Sequence, residues 1–275
     1  TATGANVQLG KLTTGAATVS NVNEGASTDT ATAGTISLSG ASLGTSTGTP
    51  QTLALGSGTG GAASVGGLLN LTATAGNIFV SSDAALRVKD LTTQAATANT
   101  VDIRTTGGKA IVFDSTGTYA NVSGSGTANN GDAINVVTDT TGGTVTFNKA
   151  LDAGSITVSA GDAVVVNQNL STTAVNTSGG GAGSNAVSGG VTLTAAGSIS
   201  GAGTISTGSA TADDASTGGT STTATSGSIS LTATGANVQL GKLTTGAATV
   251  SNVNEGGSTD TATAGSITLS GASLG

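Results

Sequence analysis

The 275 residues include 46 glycines, three Phe and one Tyr, with no Cys, His, Met or Trp, and only 8 % are charged, for a net charge of −7. Without His or Cys the chain can build no Ser–His–Asp or Cys–His triad, no imidazole or thiolate metal site and no disulfide; without a basic face it has no footprint for nucleic acid. Low charge and a mean hydropathy of +0.19 also run against the usual signature of disorder.

In chain order, the elements are short words in which an aliphatic residue alternates with a small polar one. The first are 6–9 (NVQL) and 34–38 (GTISL). After a polar segment at 44–62 come 69–71 (LNL), 77–80 (NIFV), 86–88 (LRV), 101–103 (VDI) and 110–113 (AIVF). A second polar segment, 115–131, precedes 134–136 (INV), 143–147 (GTVTF), 154–158 (GSITV) and 163–166 (AVVV). A third, 171–190, precedes 191–193 (VTL), and a fourth, 207–226, precedes 227–231 (GSISL) and 265–269 (GSITL).

Each word reads as a strand of three to five residues with Ile, Val or Leu on one face and Ser or Thr on the other. Gly, Asn and Asp between the words supply the tight turns. The four polar segments read as loops protruding from the strand-bearing body or as coils with enlarged turns, with linkers as the alternative; part of the first, Leu53-Ala54-Leu55, has a strand pattern of its own.

The chain also repeats itself. Residues 1–44 return at 232–275, offset by 231, and differ only at Ala26/Gly257, Thr35/Ser266 and Ser37/Thr268, so 41 of 44 positions match. This describes one full period, 1–231, and the opening of a second, and it leads us to expect a window on a longer tandem array. One period holds 12 acids and 6 bases, about −6, which over many periods makes a self-repelling polyanion.

Short strands at this spacing fit a β-solenoid, a barrel or a β-sandwich. A sandwich calls for a unit near 100 residues with an aromatic core, and neither is present. The expected fold is therefore all-β, a parallel β-solenoid running continuously through 1–275, with polar loops protruding from it. At roughly 20–25 residues per coil, one period would hold about ten coils and span about 50 Å.

Residues 227–253 (GSISLTATGANVQLGKLTTGAATVSNV) and 188–206 (SGGVTLTAAGSISGAGTIS) resemble the repeats of filamentous-haemagglutinin-type bacterial adhesins, the large exoproteins of two-partner secretion. The resemblance implies a right-handed parallel β-helix, export through an outer membrane to the cell surface, and a role in adhesion. No secretion-signal region and no run of 18 apolar residues is found, so no membrane span is expected.

A search for chemistry leads us to expect no catalytic, cofactor-binding or metal-ligating residue and no enzyme activity. Of fourteen acids only Asp213 and Asp214 are adjacent, within a Gly/Ser/Thr-rich stretch. A glycosidase needs two carboxylates facing across a cleft, with aromatics to stack the sugar; Phe79, Phe113 and Phe147 instead occupy strand words and read as core. Gly131-Asp132 and Gly161-Asp162 have the Gly-Asp pair of calcium-binding repeats without the full nonapeptide, and read as turns. Arg87, Lys89, Arg104 and Lys109 could pair with Asp90, Asp102 and Asp114 or form a patch for an anionic glycan.

The partners expected are neighbouring repeats of the same chain, lateral copies of it, and surface glycans or another cell. The rival readings are a self-assembling filament or sheath, a stalk of β-sandwich modules, and a glycan-binding or glycan-cleaving β-helix.

Overall fold

The computed structural model describes residues 1–18, 31–59, 66–94, 97–124, 131–180, 184–214, 221–251 and 259–275. Every described element is a strand or a turn; no helix occurs among them, and all strand pairing is parallel apart from one isolated antiparallel bridge, Ser46 with Thr49.

Three sheets make the body. The largest has nine strands, in the spatial order Leu12–Thr13, Gln51–Ala54, Ile78–Ser82, Thr100–Thr105, Ala133–Thr138, Ser155–Ala160, Val191–Ala195, Ile229–Ala233 and Ile267–Ser270. The second has eight, running from Ile36–Gly40 through Leu68–Ala73, Leu86–Thr92, Ile111–Ala120, Val145–Phe147, Val164–Val166 and Ile199–Ser200 to Val238–Gln239. The third has four: Leu151–Ala153, Leu170–Thr172, Ile205–Ser206 and Leu243–Thr244. In each sheet, spatial order is sequence order. The chain leaves a sheet, visits one or more of the others and returns one strand further along.

The alternating words explain this arrangement. Their apolar positions fall into straight ladders: Ile78, Val101, Ile134, Ile156, Val191, Ile229 and Ile267 are successive Cα partners. A second ladder, Ile111–Val145–Val164–Ile199–Val238, runs through the eight-stranded sheet. Except for the exposed Ile267 at the end of its sheet, these side chains meet in one core cluster, almost all of it fully buried. Phe113 and Phe147 are Cα partners whose rings stack at 4.7 Å and 15°, and Tyr119 meets Phe113 edge-on at 5.9 Å. The three Phe thus lie in strands, with Phe113 and Phe147 wholly inside.

Two expectations change. First, the step from one strand to its partner is not a uniform 20–25 residues. It is 23 from Ile78 to Val101 and 22 from Ile134 to Ile156, but 33 from Val101 to Ile134, 35 from Ile156 to Val191 and 38 from Val191 to Ile229. Nine strands spaced by about 4.8 Å span about 38 Å, less than the 50 Å foreseen.

Second, the polar segments contain strands. The segment 44–62 holds Gln51–Ala54 and Gly58–Thr59, and 115–131 begins inside Ile111–Ala120. The segment 171–190 holds Val175–Gly180 and Asn185–Val187, and 207–226 holds Ala210–Asp214 and Thr223–Thr225. The last four pair with Ala248–Ser251 and Thr261–Thr263 in two three-stranded sheets. Their inward residues, Val175, Ala186, Ala210, Ala212 and Ala224, form a second small core. Here Ala is the apolar half of the alternation. These two sheets are an arm, three layers high, set between the four-stranded and the nine-stranded sheets in the chain path.

Candidate functional site

The arm joins the body at a neck built from Thr, Ser and Gly. The outgoing chain passes from Leu170–Thr172 to Val175; the returning chain passes from Val187 through Ser188, Gly189 and Gly190 to Val191. Thr172 Oγ1 donates across the neck to the Gly189 carbonyl at 2.6 Å, and accepts from Gly208 N in the next layer at 3.0 Å. Thr207 repeats this one layer on, donating to the Gly227 carbonyl at 2.6 Å and accepting from Gly246 N at 3.2 Å. Ser188 Oγ donates to the Thr173 carbonyl at 2.9 Å, and Ser226 Oγ accepts from Gly265 N at 2.7 Å. All four hydroxyl residues are buried. Each one satisfies backbone groups that leave the sheet ladder where the chain turns outward.

The glycines stack in a column. A Cβ at Gly189 would lie 1.9 Å from the Gly154 carbonyl oxygen, one at Gly227 2.0 Å from that of Gly189, and one at Gly265 1.9 Å from that of Gly227. Only Gly permits this approach of layer to layer. A groove of about 280 Å³ lies beside the first of these layers, lined by Gly131, Gly154, Ser155, Thr173, Val175, Val187 and Gly189. It contains no acid, base or aromatic ring.

The stretches of sequence that hold the arm strands (175–187, 210–225 and 248–263) carry Asp213, Asp214, Glu255 and Asp260 and no Lys or Arg. The other copy repeats the last two as Glu24 and Asp29. All seven cations lie elsewhere in the sequence. Asp213 accepts from Ser251 Oγ at 3.1 Å, and Asp260 from Thr222 N at 2.9 Å. Glu24, Asp29, Glu255 and the Asp214 side chain lie outside what the structure describes.

The other charged residues mostly hold the body together. Arg87 pairs with buried Asp114, Arg104 with buried Asp102 on its own strand, and Lys11 with Asp83 on the surface. Burial pushes the Asp114 carboxyl up, but the Thr116 hydroxyl and N–H and the Arg87 guanidinium outweigh it and hold it below the usual range. Asp90 accepts from Thr118 N at 3.0 Å, and Asp139 from Gly108 N at 2.9 Å.

Asp132 is the exception. It is fully buried; Oδ1 accepts from Asn99 N at 2.8 Å and Nδ2 at 3.1 Å, while Oδ2 has no partner. Burial raises its pKa above the usual carboxylate range. Asp162 is bonded only weakly, by Thr144 Oγ1 at 3.3 Å. Among the described residues, no group of three or more acids is placed to hold a metal ion.

Neither the hydroxyl staples nor the glycine column was singled out from the sequence. The signal was there: Thr-Thr at 172–173, Thr-Gly at 207–208, Thr-Gly at 245–246 and Ser-Gly at 188–189 and 226–227 flank each arm excursion. No protein-family model, curated protein or solved structure matches the chain.

Proposed function

We propose that the chain is a repeat segment of a secreted, fibrous bacterial surface protein, an adhesin whose work is to project and display. In this reading the parallel sheets are the walls of a right-handed β-solenoid, and 1–275 is one continuous stretch of it. The carrying observation is that spatial order equals sequence order in every multi-stranded sheet of the body, with each return adding one strand. A chain laid down in this way grows in one direction, so repetition becomes length. The duplicated 44 residues supply the means of repeating it.

Adhesion is assigned to the arms. They have a small core of their own, recur in three successive layers, and carry acids without cations in their sequence. Among the described residues the body offers no cleft with paired carboxylates and aromatics, so a display role accounts for more of the residues than a glycan-cleaving one. Staining of intact source cells with antibodies against residues 1–44 tests the reading. Surface label, with loss of attachment to other cells or to glycan-coated surfaces when the gene is deleted, is the expected result. Label confined to the cell interior contradicts it.

A further inference from the structure

The two copies of the duplicated segment fold alike but sit in different sheets. Locally they match bond for bond. Ala41 N donates to Ala5 O at 2.8 Å, as Ala272 N does to Ala236 O at 2.9 Å; Val7 N donates to Ser42 O at 2.8 Å, as Val238 N does to Ser273 O at 3.0 Å. The bridges Val7–Leu43 and Val238–Leu274 are equivalent too. Yet Ile36–Gly40 belongs to the eight-stranded sheet and its copy Ile267–Ser270 to the nine-stranded one. Leu12–Thr13 lies in the nine-stranded sheet, and its copy Leu243–Thr244 in the four-stranded one.

The first copy is carried by a bent part of the eight-stranded sheet. In strand Leu86–Thr92, residues 86–88 pair with 111–113, which pair in turn with 145–147, and Arg87 and Val88 also pair with Leu68 and Leu69 on the other side. Residues 90–92 pair with 118–120 and with 70–72, and 69–73 carries 36–40. Between these two stretches the strands bend at register shifts. Lys89 is skipped on one strand, and Asp114, Ser115, Thr116 and Gly117 on the next. The bend is fixed by Asp114, whose Oδ1 accepts from Thr116 N at 2.8 Å and Thr116 Oγ1 at 2.6 Å, and by Gly117, which passes too close to the Lys89 carbonyl for any Cβ. Ile36 thus continues the ladder Leu69–Val88–Phe113–Phe147 of the eight-stranded sheet, whereas its copy Ile267 continues the ladder of Ile229 in the nine-stranded one.

We infer that successive 231-residue periods are related by a rotation of one sheet about the stacking axis as well as a translation along it, so that the acidic arms of successive periods leave the body on different sides. The inference rests on the stacked reading proposed above. A partner then meets arms on more than one side of the rod. A rod without this rotation would present all its arms along one edge.

Disulfide mapping tests it, on a chain with no cysteine of its own. Parallel partners about 4.8 Å apart lie within the span a disulfide bridges. Ser230→Cys with Thr268→Cys, Cα partners in the nine-stranded sheet, reports on stacking alone. Ser81→Cys with Arg104→Cys and Thr72→Cys with Thr92→Cys are partners in the rotated arrangement. Without rotation, 68–73 would lie beside 100–105, and Thr72→Cys would meet Arg104→Cys. We expect the first three pairs to close on mild oxidation and the Thr72–Arg104 pair to stay open. Closure of Thr72–Arg104 in place of the two rotated pairs overturns the rotation and leaves the stacking intact. Failure of Ser230–Thr268 overturns the stacked reading, and the rotation with it.

Discussion

Thr207 shows how much a single buried hydroxyl can hold in this chain. It bridges the outgoing and returning strands of the arm and also bonds the layer above. Thr207→Val keeps the shape and leaves the Gly227 carbonyl and the Gly246 N–H without partners. Leaving buried backbone groups unpaired costs about 1–3 kcal/mol, and urea titration should show a loss of that size. Thr192→Val, on the exposed face of the nine-stranded sheet, should change stability by less than about 0.5 kcal/mol. Equal losses from the two variants would remove the staple from the account.

Asp132 gives a pH signature of known sign. Its folded pKa is raised by burial, against the hydrogen bonds from Asn99 that lower it. The folded state therefore holds this proton more tightly than the unfolded chain does. Its contribution is greatest below the unfolded carboxylate pKa and declines as pH rises through the folded value. Asp132→Asn keeps an acceptor for Asn99 and removes the buried charge. It should flatten that part of the stability–pH profile and leave the protein at least as stable at pH 7. Asp114, held low, acts in the opposite sense: its stabilisation is lost as pH falls through the folded pKa. A wild-type slope that survives in Asp132→Asn would show that the slope comes from another group.

At the scale of the element, packing between layers decides what each position tolerates. Gly227→Ala would bring a Cβ 2.0 Å from the Gly189 carbonyl, and backbone can give way only by spreading the layers. Its cost should be at least about 2 kcal/mol. Gly10→Ala, with nothing within 4 Å, should cost little. Phe147→Ala removes one ring of the Phe113–Phe147 stack in a fully buried site and should cost about 3–5 kcal/mol. Thermal or urea unfolding of the three variants orders them; a neutral Phe147→Ala would mean that the ladder is not the core.

Most strands of the two larger body sheets were legible because Ile, Val and Leu mark their inward positions; the four strands of the third sheet, two or three residues each, were too short to show an alternation. The arm strands were not legible either. In Ala210–Asp214 and Thr223–Thr225 the inward residue is Ala and the outward ones are Thr, so the pattern looks like a turn-rich loop. The arm core is narrow enough for a methyl group to fill it, a fact about the space between two sheets and not about the segment. The buried hydroxyls of Thr172 and Thr207 were hidden for a related reason. One Thr among many shows its burial only when its partner strand is known. Of the candidate site, the acids of the arm could be read directly, whereas the neck that positions them could not.

At the scale of the whole molecule, the duplicated segment reports its own surroundings twice. Ile36 is 8 % exposed and Leu43 0 %, because Leu69 and Ile78 cover them; the identical residues in the second copy, Ile267 and Leu274, are 44 % and 54 % exposed. The same side chains are core when a further layer follows and surface when none is present. Hydrogen exchange should therefore be faster at 267–270 than at 36–40 in the 275-residue chain. Extending the chain by a second copy of residues 45–92 should slow it; unchanged exchange at 267–270 would argue that the layer is not a stacking surface. The bend of the eight-stranded sheet at 86–120 belongs to this scale as well. It arises from which strand meets which, and no local pattern encodes it.

Cryo-electron microscopy of the proposed tandem array tests the central claim most directly. The account predicts unbroken rods in which strands lie across the axis and repeat along it about every 4.8 Å. Strands running along the rod, or beads of separate domains joined by gaps, would contradict it.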